Sequence, residues 1–83
     1  MPLYLDVHQK IEGLTKEAIQ EAHRLDVAAQ DKHGVKYLRY WYDTVSGKVY
    51  CLVEAPSKEA AEAVHREAHG HLADEITEVA EGA

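Results

Sequence analysis

The stretch that decides the fold runs Val35-Lys36-Tyr37-Leu38-Arg39-Tyr40-Trp41-Tyr42-Asp43, then Thr44-Val45-Ser46-Gly47, then Lys48-Val49-Tyr50-Cys51-Leu52-Val53-Glu54-Ala55. Its first part is rich in aromatics, which favour strand. The middle is a turn, and the last part alternates: Val49, Cys51 and Val53 face one side, Tyr50, Leu52 and Glu54 the other. A link this short makes the two strands an antiparallel hairpin. Periodicity leaves two choices for the first strand. Either Tyr37, Arg39 and Trp41 share a face with one side of the sheet, or Leu38, Tyr40 and Tyr42 do.

Upstream, Pro2 to Ile11 alternates as a half-buried strand, with Leu3, Leu5 and Val7 opposite Tyr4, Asp6 and His8. Thr15 can cap a helix over residues 16 to 33, with Glu17 at its positive dipole end. Ile19, Ala22, Leu25 and Ala29 form its apolar stripe, and Gly34 suits the residue past its end. Downstream, Ser57 caps a second helix whose buried side carries Ala60, Ala61, Val64, Ala68 and Leu72. Gly70 ends it, and Glu75 to Val79 reads as a last short strand. The order βαββαβ predicts an α+β, ferredoxin-like sandwich over residues 1–83 as a single domain, with a four-stranded antiparallel sheet and two helices on one face. Hydrophobicity assigns Leu3, Leu5, Val7, Val49, Cys51 and Val53 to the helix-covered face. Tyr4, Asp6, His8, Tyr50, Leu52 and Glu54 then lie on the open one. An open face so aromatic and partly apolar predicts a homodimer.

Composition narrows the function. Acidic residues outnumber basic ones by 15 to 9, for a formal charge of −6. That balance, without a Lys/Arg cluster, opposes nucleic-acid binding and favours cations. No window approaches the ~20 apolar residues of a membrane span. The first residues lack the basic start and apolar run of a signal peptide, so the expected location is cytosolic. A single cysteine excludes CxxC redox chemistry, thiolate zinc sites and a copper(I) chaperone of the same fold.

Six histidines in 83 residues focus attention on metals. His65 and His69 are i and i+4 on the second helix, with Glu62 one turn earlier, so one helix face offers two or three ligands. Arg66 after His65 excludes the HExxH protease motif. On the strands, Asp6 and His8 are i and i+2 and share a face, and Glu54 is assigned to the same face. Imidazole with carboxylate suits Ni²⁺, Zn²⁺, Cu²⁺ or Co²⁺. The blander readings are a solvated helix face for the histidines and a cross-strand His–carboxylate hydrogen bond for the sheet cluster. His23 with Asp26, and His33 beside Gly34, are weaker candidates.

The segments Pro-Leu-Tyr-Leu-Asp-Val-His, Tyr-Leu-Arg-Tyr-Trp, Cys-Leu-Val-Glu-Ala-Pro and Val-His-Arg-Glu-Ala-His-Gly together resemble a family of small bacterial ferredoxin-like nickel-binding proteins, formerly a domain of unknown function. The resemblance spans nearly the whole chain. It implies a homodimer with nickel at its surface, and a role in nickel sequestration, buffering or detoxification rather than catalysis. The positions it offers as ligands are Asp6, His8, Glu54, His65, His69 and Asp74; His71 is extra. The alternative is a small dimeric isomerase or cofactor-free oxygenase, with His8 and Glu54, or His65 and Asp74, as acid–base pair.

Overall fold

A computed structural model describes residues 1–82. The elements are β1 (Leu3–His8), α1 (Lys16–Ala29), a 3₁₀ turn (Gln30–His33), β2 (Lys36–Asp43), β3 (Lys48–Glu54), α2 (Lys58–Ala68) and β4 (Glu75–Val79). All neighbours in the sheet are antiparallel, in the order β2-β3-β1-β4. Both helices lie on one face, where Ile19, Ala29, Ala61 and Val64 meet Tyr37, Val49, Cys51 and Val53. This is the ferredoxin-like α+β fold expected from the element order.

Local chemistry sets the boundaries. The Thr15 hydroxyl accepts the Ala18 N–H and the Ser57 hydroxyl accepts that of Ala60, so both expected caps form. The first α-helix is shorter than its periodicity suggests. After Ala29 the chain tightens into the 3₁₀ turn, and Gln30 binds the start of β2 twice, through its carbonyl to Val35 N and its side chain to Tyr37 N. In the hairpin turn, Asp43 accepts from Val45 N and Ser46 Oγ. Gly47 (φ +81°) comes so close to Ile11 that a Cβ there would meet the Ile11 carbonyl at 3.0 Å.

Two face assignments are reversed by the structure. Tyr4, Asp6 and His8 lie under the helices, and Leu3, Leu5 and Val7 on the open face. Register fixes this, since Asp6 pairs with Cys51 and His8 with Val49, while Leu5 pairs with Leu52. Relative hydrophobicity is a poor guide to β1 because its polar side chains are satisfied inside. In β2 neither parity set survives. The pairing register shifts between Tyr37 and Arg39. Skipping Leu38 puts Tyr37, Tyr40 and Tyr42 on the helix side and Arg39 and Trp41 on the open side. The open face is therefore built mainly from Leu3, Leu5, Val7, Trp41, Tyr50 and Leu52, and most of the tyrosines have left it.

Candidate metal centre

Beneath the helices, among the described residues, two carboxylates and two imidazoles are almost completely buried: Asp6 on β1, His8 at its end, Asp26 on α1 and His65 on α2. Burial of such groups requires partners. His65 supplies most of them. Its Nδ1 lies 2.8 Å from Asp26 Oδ1 and its Nε2 lies 3.0 Å from Asp6 Oδ2. One imidazole thus ties β1, α1 and α2 together. His69 Nε2 reaches the same Asp26 oxygen at 3.1 Å. Its Nδ1 accepts the His71 backbone N–H, which places the ring proton on Nε2, facing Asp26. The Tyr37 hydroxyl donates to the Ala61 carbonyl at 3.0 Å and lies 3.4 Å from Asp6 Oδ2.

The charges follow from this geometry. Burial acts most strongly on Asp6 and would raise its pKa, but the hydrogen bond from His65 and the nearby His65 and His8 rings overcome it and bring the carboxyl down to about 2. Asp26 is lowered by the same balance, against its burial, through His65 and His69. Burial alone would lower the His65 pKa. Its bonds to Asp26 and Asp6 outweigh that and raise it from 6.5 to about 9. At neutral pH His65 is therefore an imidazolium between two carboxylates. Burial, then the charge of Asp6, pushes the Cys51 thiol far up, so Cys51 walls the site as a neutral thiol.

Asp6 keeps one acceptor unused. Its Oδ1 is fully buried and receives no hydrogen bond among the described residues, although His8 Nε2 is 3.5 Å away. Two sets of side chains bring one ligand atom each within 4.8 Å of the others: Asp6, His8, Cys51 and His65; and Asp26, His65 and His69. They meet at His65. Beside them opens a narrow cleft of about 30 Å³, walled by Ile19, Tyr40 and Val49 and by the imidazoles of His8, His23 and His71.

Of the residues expected from sequence, Asp6, His8, His65 and His69 come together. Glu54 does not join them. Its register partner is Leu3, on the open face, while Asp6 and His8 point to the other. The reversal of β1 thus splits the expected strand trio. Glu62 is half-buried on α2 and contributes to neither donor set. Asp74 instead accepts the Gln9 N–H at 2.7 Å and fixes the chain where β1 ends. The proposed acid–base pair of His8 and Glu54 is likewise separated by the sheet. His65 has both nitrogens engaged by carboxylates and keeps no free lone pair to act as a base.

Asp26 is the partner that sequence reading undervalued. Its signal is positional: it stands seven residues after Ile19 and three before Ala29, inside the apolar stripe of α1. A carboxylate there must be satisfied by something buried.

The profile of nickel responsive proteins like SCO4226 matches residues 4–79. The chain belongs to the SCO4226-like family. It is also similar to a solved structure, the crystal structure of SCO4226 from Streptomyces coelicolor A3(2). The two are 42% identical with a TM-score of 0.90, over 98% of this chain and 99% of that one. No curated protein gives a significant match. A resemblance that reaches both ends of the sheet bears out the fold and the family resemblance read from the sequence. Among the described residues no helix is long and apolar enough to cross a membrane.

Proposed function

We propose that this protein binds Ni²⁺ as cargo and buffers or sequesters it in the cytosol, as a homodimer and without catalysis. The observation that carries the reading is the unpartnered Asp6 Oδ1 beside His8, at the edge of a buried cluster in which two carboxylates flank one imidazole. A cation there would satisfy the oxygen. The donors are imidazole and carboxylate, with Cys51 held as a thiol, and that set suits Ni²⁺ and Co²⁺ better than copper(I). Asp6 and His8 would hold the ion, and His65 would join them once the ion displaces its proton. Asp26 and His69 form an adjoining group that shares His65. The nickel responsive family supports this choice of metal.

Untagged protein, stripped with chelator and titrated with nickel in a calorimeter at pH 7.5, tests the reading. Saturable uptake is expected, with Co²⁺ weaker and Cu²⁺ at least as tight. Absence of nickel uptake would remove the proposed function.

A further inference from the structure

Four imidazoles make a line from the interior to the surface. The ring centres of His8 and His65 are 5.2 Å apart, those of His65 and His69 4.8 Å, and those of His69 and His71 5.3 Å. Exposure rises from His65 outward. His8 and His65 are buried, the His69 side chain is 9% exposed and His71 is open to solvent. Two imidazoles that share one ion through bonds of ~2.1 Å have ring centres roughly 4.5 to 6.5 Å apart. Every step of the line falls within that span.

His71 belongs to neither inner donor set. It stands where the apolar cleft meets a wider polar groove that also carries Lys10, Glu12 and Asp74. The backbone holds it there. Past the end of α2, Gly70 takes a left-handed conformation (φ +80°) and its N–H returns to the His65 carbonyl at 2.8 Å. The chain then doubles back, and the His71 N–H closes on His69 Nδ1. A hydrated divalent ion must shed water before it reaches Asp6, and the cleft wall alongside is largely Ile19, Tyr40 and Val49. The His71 imidazole at the mouth can replace the first of those waters.

We propose that His71 is the capture ligand: it takes the hydrated cation at the mouth of the cleft, from which the ion passes inward to the group of Asp6, His8 and His65. This rests on the metal-binding reading above. Because His71 holds the ion only in transit, it sets the rates of uptake and release and leaves the final affinity unchanged. By microscopic reversibility both rates change by the same factor.

Stopped-flow mixing of the stripped protein with nickel chloride, followed by its intrinsic fluorescence, measures association. Mixing of loaded protein with excess chelator measures release. For His71→Ala, both rates are expected to fall several-fold, with nickel stoichiometry and Kd as in the wild type. Far-UV circular dichroism checks that this exposed substitution leaves the fold intact. Unchanged rates would overturn the proposal, and so would faster release with weaker Kd, which would make His71 an equilibrium ligand. In both cases wild-type uptake shows that the metal-binding reading stands. A wild type that takes up no nickel ends both.

Discussion

His65 holds a proton because two carboxylates hold it. Its pKa is raised from 6.5 to about 9, so its stabilising contribution is complete below pH 6.5 and is lost as pH rises through about 9. Asp6 behaves oppositely. Lowered from 3.8 to about 2, it stabilises the fold above pH 3.8 and ceases to do so as pH falls through about 2. The metal-free protein should therefore melt highest between these limits, and its melting temperature should decline toward pH 9. A thermal melt series checks this, and His65→Gln should flatten the alkaline decline. Asp6→Asn leaves the imidazolium with one carboxylate, and breaking a buried pair in this way costs about 3 kcal/mol or more. Urea denaturation at pH 6 reads that cost. Nickel must also displace the His65 proton if His65 is a ligand. Calorimetry in two buffers of different ionisation enthalpy should show about one proton released per ion at pH 7.5. No release would place the ion on Asp6 and His8 alone.

At the scale of elements, caps, turns and strand order were legible because each is set by local chemistry. Thr15 and Ser57 cap as their side chains dictate, and Asp43 and Gly47 build the hairpin turn. The facing of β1 was not legible. Alternation says which residues share a side, but not which side is covered, and here the aliphatic side is the open one. The bulge at Leu38 was equally hidden, since aromatic residues stand on both sides of β2. These two misreadings explain the site. His65 and His69 were readable from helical spacing, and Asp6 and His8 from strand spacing. Glu54 was misplaced by the reversed strand, and Asp26 acquires meaning only once α1 is docked against α2. The turn after α2 offers a direct check. At φ +80° an alanine in place of Gly70 should cost roughly 1–2 kcal/mol in urea denaturation. It should also slow nickel uptake as His71→Ala does, because the same turn positions His71.

The whole molecule is a small sandwich with one sheet face bare. Leu5 and Leu52 pair across the centre of that face, and Trp41 is 49% exposed on it. A patch of this kind is the natural seam of a twofold dimer. Sedimentation at tens of micromolar should give twice the chain mass. Leu5→Lys should reduce it to one chain without unfolding, since Leu5 lies outside the buried core. One chain mass for the wild type would remove the dimer. The acidic balance of 15 to 9 also draws cations toward the molecule before any ligand is engaged, so uptake should slow as salt is raised. The claim on which everything else depends is that the buried carboxylate–imidazole cluster is a nickel site. Elemental analysis of untagged protein after equilibrium dialysis against nickel at pH 7.5 tests it most directly, with folding of each variant confirmed by circular dichroism. The expected result is stoichiometric nickel in the wild type and in Glu54→Gln and Glu62→Gln, and loss of nickel in His8→Ala. Full nickel in a folded His8→Ala, or none in the wild type, would contradict it.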